Sequence, residues 1–124
     1  MNTILWILQI LLAIGFLSSG IMKSTQSEQW LITHGQTGVK GLPAAVITFI
    51  GICEILGVFG LILPWWFNIA PVLTPTAAIC FCIVMLLAAP RHYKLNEPKN
   101  VAINIIIFFV CAFVTYERLT SLAK

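Results

Sequence analysis

Four blocks of apolar residues, at 3–22, 43–63, 69–89 and 100–117, divide the chain and dictate what it can fold into. At a rise of about 1.5 Å per residue, the first three blocks, each roughly 20 residues, cross a hydrocarbon layer of about 30 Å, and the fourth is just long enough. In lipid no water bonds the backbone, so a spanning segment is either a helix or part of a closed barrel, and nothing here alternates with period two. The sequence therefore predicts an all-α integral membrane protein, a bundle of four transmembrane helices in one membrane domain over 1–124. Composition agrees: 60% of the 124 residues are hydrophobic and 9% charged, against roughly 45–50% and about 25% in a soluble domain. The formal charge of +3 comes from scattered residues, which excludes a nucleic-acid groove.

Boundary residues refine this reading. Lys23 stops the first span, and Gly41 and Pro43 open the second. Pro64-Trp65-Trp66-Phe67-Asn68 is expected as a tight connection with its aromatics at headgroup level. Asn68 is placed as the cap of the third helix, Pro71 in its first turn and Pro75 deeper, with a kink near Thr74-Pro75. Pro90 is expected to end that span. The longest connection, 23–41, reads as a short interfacial helix starting near Ser27, with Trp30 toward the headgroups, followed by a Gly35/Gly38/Gly41 loop.

Orientation follows from basic residues. Lys23, Lys40, Arg91, Lys94 and Lys99 fall on one side, and Arg118 and Lys124 on the other. The positive-inside rule then places both termini outside. A cleaved signal peptide is the competing reading of the first block, but Met1-Asn2-Thr3 has no basic side chain and Leu17-Ser18-Ser19 is a poor cleavage site, which favours a retained helix.

Glu54 is the sharpest single feature. A carboxylate near the middle of a span costs on the order of 2.5–3.5 kcal/mol on insertion scales, so it faces the bundle interior or a wet cavity. On a helical wheel Gly51 and Gly57 flank it and leave room for a neighbouring helix, a water or a ligand headgroup, and with Gly60 and Gly15 they read as helix-packing positions. With no cation or set of donors in reach, burial favours the neutral acid. The first span presents Gly15, Ser18, Ser19 and Met22 on one stripe, read as close helix packing through Gly15 and Ser19. Gln9 points away from that stripe. In the fourth span Asn100, Asn104, Cys111, Thr115 and Arg118 form a polar line that is expected to meet Glu54, with Asn104 as its partner.

Cys53, Cys80, Cys82 and Cys111 lie inside spans without a metal or dithiol spacing and read as small hydrophobes. His34 and His92 fall in connections, and His92, between Arg91 and Tyr93, is suited to bind phosphate headgroups or to close the bundle. No nicotinamide, flavin or haem-ligand pattern is legible.

The run from Gly51 through Glu54, Gly57 and Gly60 to Pro64 resembles the second-helix signature of DoxX-like membrane proteins. Gly20-Ile21-Met22-Lys23, Ala70-Pro71-Val72-Leu73-Thr74-Pro75 and Asn96-Glu97-Pro98 are similar to that family as well. Departures are Tyr116-Glu117-Arg118 in place of the usual Tyr-Gly-Arg, and Pro90-Arg91 before His92. The resemblance implies a four-helix protein of the bacterial cytoplasmic membrane, with Glu54 in a shared intramembrane role. Relatives of this kind include a thiosulfate:quinone oxidoreductase subunit and members of thiol-stress complexes.

Three functions remain open at this level. The leading one is a membrane subunit or partner of a quinone-linked redox system, with Glu54 facing a lipophilic ligand such as a quinone and the electrons supplied by a partner. The second is a proton-coupled homodimeric transporter, in which both copies of Glu54 line one site. The third is an assembly or chaperone-like membrane factor, in which Glu54 and the polar face of the fourth helix are only interhelical glue and no small molecule binds. In the first two, Glu54, Asn104, Ser18, Ser19 and Thr115 are the candidate buried polar site.

Overall fold

The computed structural model describes residues 2–123. Five helices follow in order: α1 (Asn2–Thr25), α2 (Glu28–Thr33), α3 (Ala44–Phe67), α4 (Leu73–Lys94) and α5 (Pro98–Ala123), with a single 3₁₀ turn at Thr37–Val39 between α2 and α3. Four of them, α1, α3, α4 and α5, are long and apolar enough to cross a membrane. At 22–26 residues each, they are about 33–39 Å long, enough for a hydrocarbon layer of about 30 Å with a turn to spare. Their outer faces carry Leu11, Ile14, Phe49, Leu56, Leu87, Ile106 and Phe109, all exposed. In water such a surface is a liability; against lipid tails it is solvated. The chain is a multi-pass membrane protein.

Neighbours in sequence pack side by side and antiparallel, in the order α1, α3, α4, α5, whereas α1 and α5 touch only sparingly. The core between them is built from Leu5, Leu12, Phe16, Val58, Leu61, Ala78, Phe81 and Val114. Phe16 and Phe81 stack at 3.9 Å between ring centroids, and Phe81 fits there because Gly57 opposite has no side chain: a Cβ on Gly57 would stand 2.7 Å from the Phe81 ring.

Several boundaries differ from those the sequence predicts. Residues 64–67 are the last turn of α3, not a loop, and Asn68 closes α3 in the left-handed conformation (φ 54°), with the Ile69 amide donating to the Pro64 carbonyl. Asn68 therefore does not cap the next helix. Because α4 begins only at Leu73, Pro71 precedes it and Pro75 sits in its first turn, where a missing N–H costs nothing. The reason for a kink at Thr74-Pro75 disappears. Pro90 does not stop α4 either, since the helix runs four residues further to Lys94. The fourth span starts at Pro98, a residue preset for a helix N-terminus, and extends to Ala123.

The connection after α1 takes the expected shape. Ser27 accepts the Trp30 amide through its side chain and so caps α2. Trp30 is half-buried and stacks on His34 at 3.8 Å. Gly35 and Gly41 turn the chain at φ 96° and 85°, values that side chains disfavour.

The closest backbone approach is between α1 and α3. A Cβ on Gly51 would stand 2.7 Å from both the Gly20 carbonyl oxygen and the Ser24 amide nitrogen, and one on Gly20 would stand 2.8 Å from the Gly51 carbonyl oxygen. These carbonyl and amide groups belong to the backbone and cannot rotate aside. Gly51→Leu is expected to lower stability by about 1–3 kcal/mol, the usual range for overpacking, in reversible unfolding of the protein in mixed micelles. Gly15→Ala, where nothing lies within 4 Å of the added methyl, should leave the transition in place; equal stability of the two variants would contradict the packing described.

Candidate functional site

Glu54 lies ten residues into α3 and is buried, with 2% of its surface exposed. Its partner is not Asn104. Lys23, two residues from the end of α1, turns inward and places Nζ 2.7 Å from Glu54 Oε1. The Gly20–Gly51 contact one helical turn away makes this possible, because it brings the two backbones close enough for the lysine stem to cross. Lys23 is thus a member of the site and not the end of a span. On the helical wheel it continues the Gly15–Ser19 stripe by one more turn, a signal that its position at the end of an apolar block conceals.

Around this pair is a cavity of about 520 Å³, within the range of small-molecule sites. One wall is α1, with Leu8, Leu12, Gly15, Phe16 and Ser19; the facing wall is α4 and α5, with Val84, Met85, Ile107 and Val110. Most of the lining is apolar. Polar groups gather at one end, where Lys23, Glu54, Ser19 and Asn104 meet the 36–42 segment, Arg91 and His92. Two buried polar atoms have no protein partner there: Glu54 Oε2 and Asn104 Nδ2. Such atoms cost roughly 1–3 kcal/mol each when left unpaired. An incoming hydrogen-bond acceptor at Asn104 and a donor at Glu54 would satisfy both.

The sequence-derived candidates separate accordingly. Glu54, Asn104 and Ser19 line the cavity together. Ser18 is exposed on the outer side of α1, and Thr115 donates its hydroxyl to the Cys111 carbonyl one turn back, so neither belongs to the site. Gly15 is not a packing residue: it faces the cavity with no protein atom near its α-hydrogen side. Gly51 and Gly57 are the true close contacts, and Gly60 lies at ordinary distance from Ala77.

The polar end is floored by the 36–42 segment, and α4 fastens it. Arg91 donates through Nε to the Gly38 carbonyl at 2.6 Å and through Nη2 to the Lys40 carbonyl. Glu97 Oε1 accepts the Thr37 hydroxyl at 2.7 Å and lies 2.9 Å from His92 Nδ1. His92 closes the bundle in this way. At the opposite end Arg118 is buried, donating to Gln9 Oε1 at 2.7 Å and Asn2 Oδ1 at 2.8 Å, with its guanidinium 4.4 Å from the Trp65 ring centroid. Gln9 in turn donates to the Leu61 carbonyl. Arg118 and Gln9 thus form an interior clamp, so Arg118, on the polar line expected to meet Glu54, meets Gln9 and Asn2 at the other end of the bundle instead.

A bundle of four spanning helices with one buried ion pair at the head of an apolar cavity defines a small polytopic membrane protein with an internal amphipathic site. A profile of the DoxX-like family matches residues 7–114, and the chain belongs to that family. No curated protein and no solved structure matches it.

The fastening of the floor is sensitive to acid. Hydrogen bonds from His92 first and Thr37 second hold the Glu97 carboxyl below its ordinary value, which is about 4.3 for a free glutamate. A carboxyl depressed in the folded state stabilises above its unfolded value and loses that contribution as pH falls through the folded one. In NMR spectra of the protein in lipid nanodiscs, Thr37 resonances should hold from pH 7 down past the ordinary glutamate range and shift only below it, and Glu97→Gln should abolish the transition. A midpoint at or above about 4.3 would contradict the arrangement.

Proposed function

We propose that the chain is a quinone-binding membrane subunit of a redox system in the bacterial cytoplasmic membrane, with both termini on the outer side and the electrons exchanged with a partner protein. The observation that carries this reading is the pair of unpartnered buried atoms, Glu54 Oε2 and Asn104 Nδ2, in the lining of an otherwise apolar cavity. A quinone carbonyl accepts a hydrogen bond and suits the Asn104 amide; a quinol hydroxyl donates one and suits the Glu54 carboxylate. The two redox forms of one ligand therefore use complementary halves of the same polar end. Lys23 keeps the Glu54 carboxylate paired while Oε2 stays available to a donor. The apolar walls take up the rest of the ring and the start of its tail.

Binding of a decyl-tailed benzoquinone to the protein in lipid nanodiscs, followed by calorimetric titration, tests the reading. Asn104→Leu is expected to weaken binding of the oxidised form by about tenfold, the equivalent of one net hydrogen bond of about 1–1.5 kcal/mol. Saturable binding absent from the unmodified protein, or unchanged in Asn104→Leu, would overturn it.

A further inference from the structure

We infer that the ligand of this cavity is a long-tailed molecule dissolved in the bilayer, loaded sideways through a window between α1 and α5 and lying with its tail across Gly15. The inference rests on the quinone reading for the headgroup, and adds the route, the tail and the residue that makes room for it.

The helices α1 and α5 touch only sparingly, the side-chain hydrogen bonds between them are those of Arg118 to Gln9 and Asn2, and residues of both helices line the cavity. Along the opening, Leu11 and Gly15 of α1 are both exposed and part of the cavity lining, Ile107 and Val110 of α5 are half-buried in the same lining, and Leu87 of α4, exposed as well, extends the lining toward the polar end. Residues that are at once surface and cavity wall mark its mouth. The flanking outer positions, Ile14 at 62% and Phe109 at 63% exposed, are apolar, so the mouth opens on lipid tails. The aqueous route is obstructed by the floor: Gly38 and Lys40 are held by Arg91, and Thr37 by Glu97.

Gly15 supplies the second observation. Gly20, Gly51 and Gly57 are each pressed against a neighbour within 2.8 Å of a Cβ placed there, whereas a Cβ on Gly15 meets nothing within 4 Å. Its lack of a side chain serves no contact inside the protein. It does keep the window wide at mid-helix, between the polar head and the lipid.

The polar end determines the occupant. Glu54 and Asn104, 2% and 8% exposed, present one unpartnered acceptor and one unpartnered donor, which the apolar helix face of a second copy would leave unpaired. A phosphate-headed lipid would set an anion against the Glu54 carboxylate, while Lys23 and Arg91 are already engaged. A neutral head with a carbonyl or hydroxyl, on an apolar tail, meets every group.

Equilibrium titration in nanodiscs with two probes, a tail-free methoxy-methyl-benzoquinone and a quinone carrying several isoprenoid units, tests this. Gly15→Phe, and independently Leu11→Trp, should weaken binding of the tailed probe at least tenfold and leave the tail-free probe within twofold, with Leu56→Phe on the lipid face of α3, away from the cavity lining, as the unaffected control. Tailed binding unchanged in both window variants would overturn the inference and leave the quinone reading standing. Equal loss of both probes would place Gly15 at the head and overturn it too. Failure of the unmodified protein to bind either probe would remove the quinone reading, and the inference with it.

Discussion

A glutamate ten residues inside an apolar helix costs on the order of 2.5–3.5 kcal/mol to insert, and in this bundle the Lys23 ammonium at 2.7 Å from Glu54 offsets that cost. The pair is short because Gly20 and Gly51 let the α1 and α3 backbones meet. Small residues, close helices and a buried ion pair are thus one unit, each requiring the others. Replacing a buried pair with apolar side chains is often neutral or stabilising. Here that exchange would also remove the Glu54 carboxylate, a charged acceptor, from the head of the cavity.

The cavity itself is a consequence of two clamps at opposite ends. Near the termini, Arg118 joins α5 to α1 through Gln9 and Asn2, and Gln9 reaches α3 through the Leu61 carbonyl. At the other end α1 is drawn to α3 by Lys23 and Glu54, and among the described residues no side-chain hydrogen bond joins α1 to α5 there. The two helices are therefore held together at one end and left apart at the other. The 36–42 segment, fastened by Arg91 and Glu97, floors the gap.

Much of this was legible in the sequence because it is local. Four spans follow from the length and hydropathy of the blocks, the α2 cap from Ser27, and the turns from Gly35 and Gly41. Glu54 and Asn104 are legible as inward-facing and Ser19 as a packing position that is also a polar-site candidate, and the three share a cavity. What escaped is non-local. A helical wheel gives the angle of a residue on its own helix but not which helix stands opposite, so it matched Glu54 with Asn104 instead of Lys23. It likewise could not join Gln9 to Arg118 across 109 positions. Lysine and arginine stems add a reach of several ångströms that wheel geometry ignores, which is why Lys23 reads as the end of a span and Arg118 as a neighbour of Glu54 and not of Gln9. The prolines failed for a simpler reason: their effect depends on the register of the helix start, and α4 begins four residues later than its apolar block.

The charge state of Glu54 tests the account most directly. Infrared difference spectra of the protein in lipid at neutral pH, with Glu54→Gln as the reference, should contain an ionised-carboxylate band for Glu54, and in Lys23→Met that band should give way to the carbonyl stretch of a neutral acid. A neutral-acid band in the unmodified protein, or an ionised band that survives the loss of Lys23, would contradict the central role assigned to this ion pair.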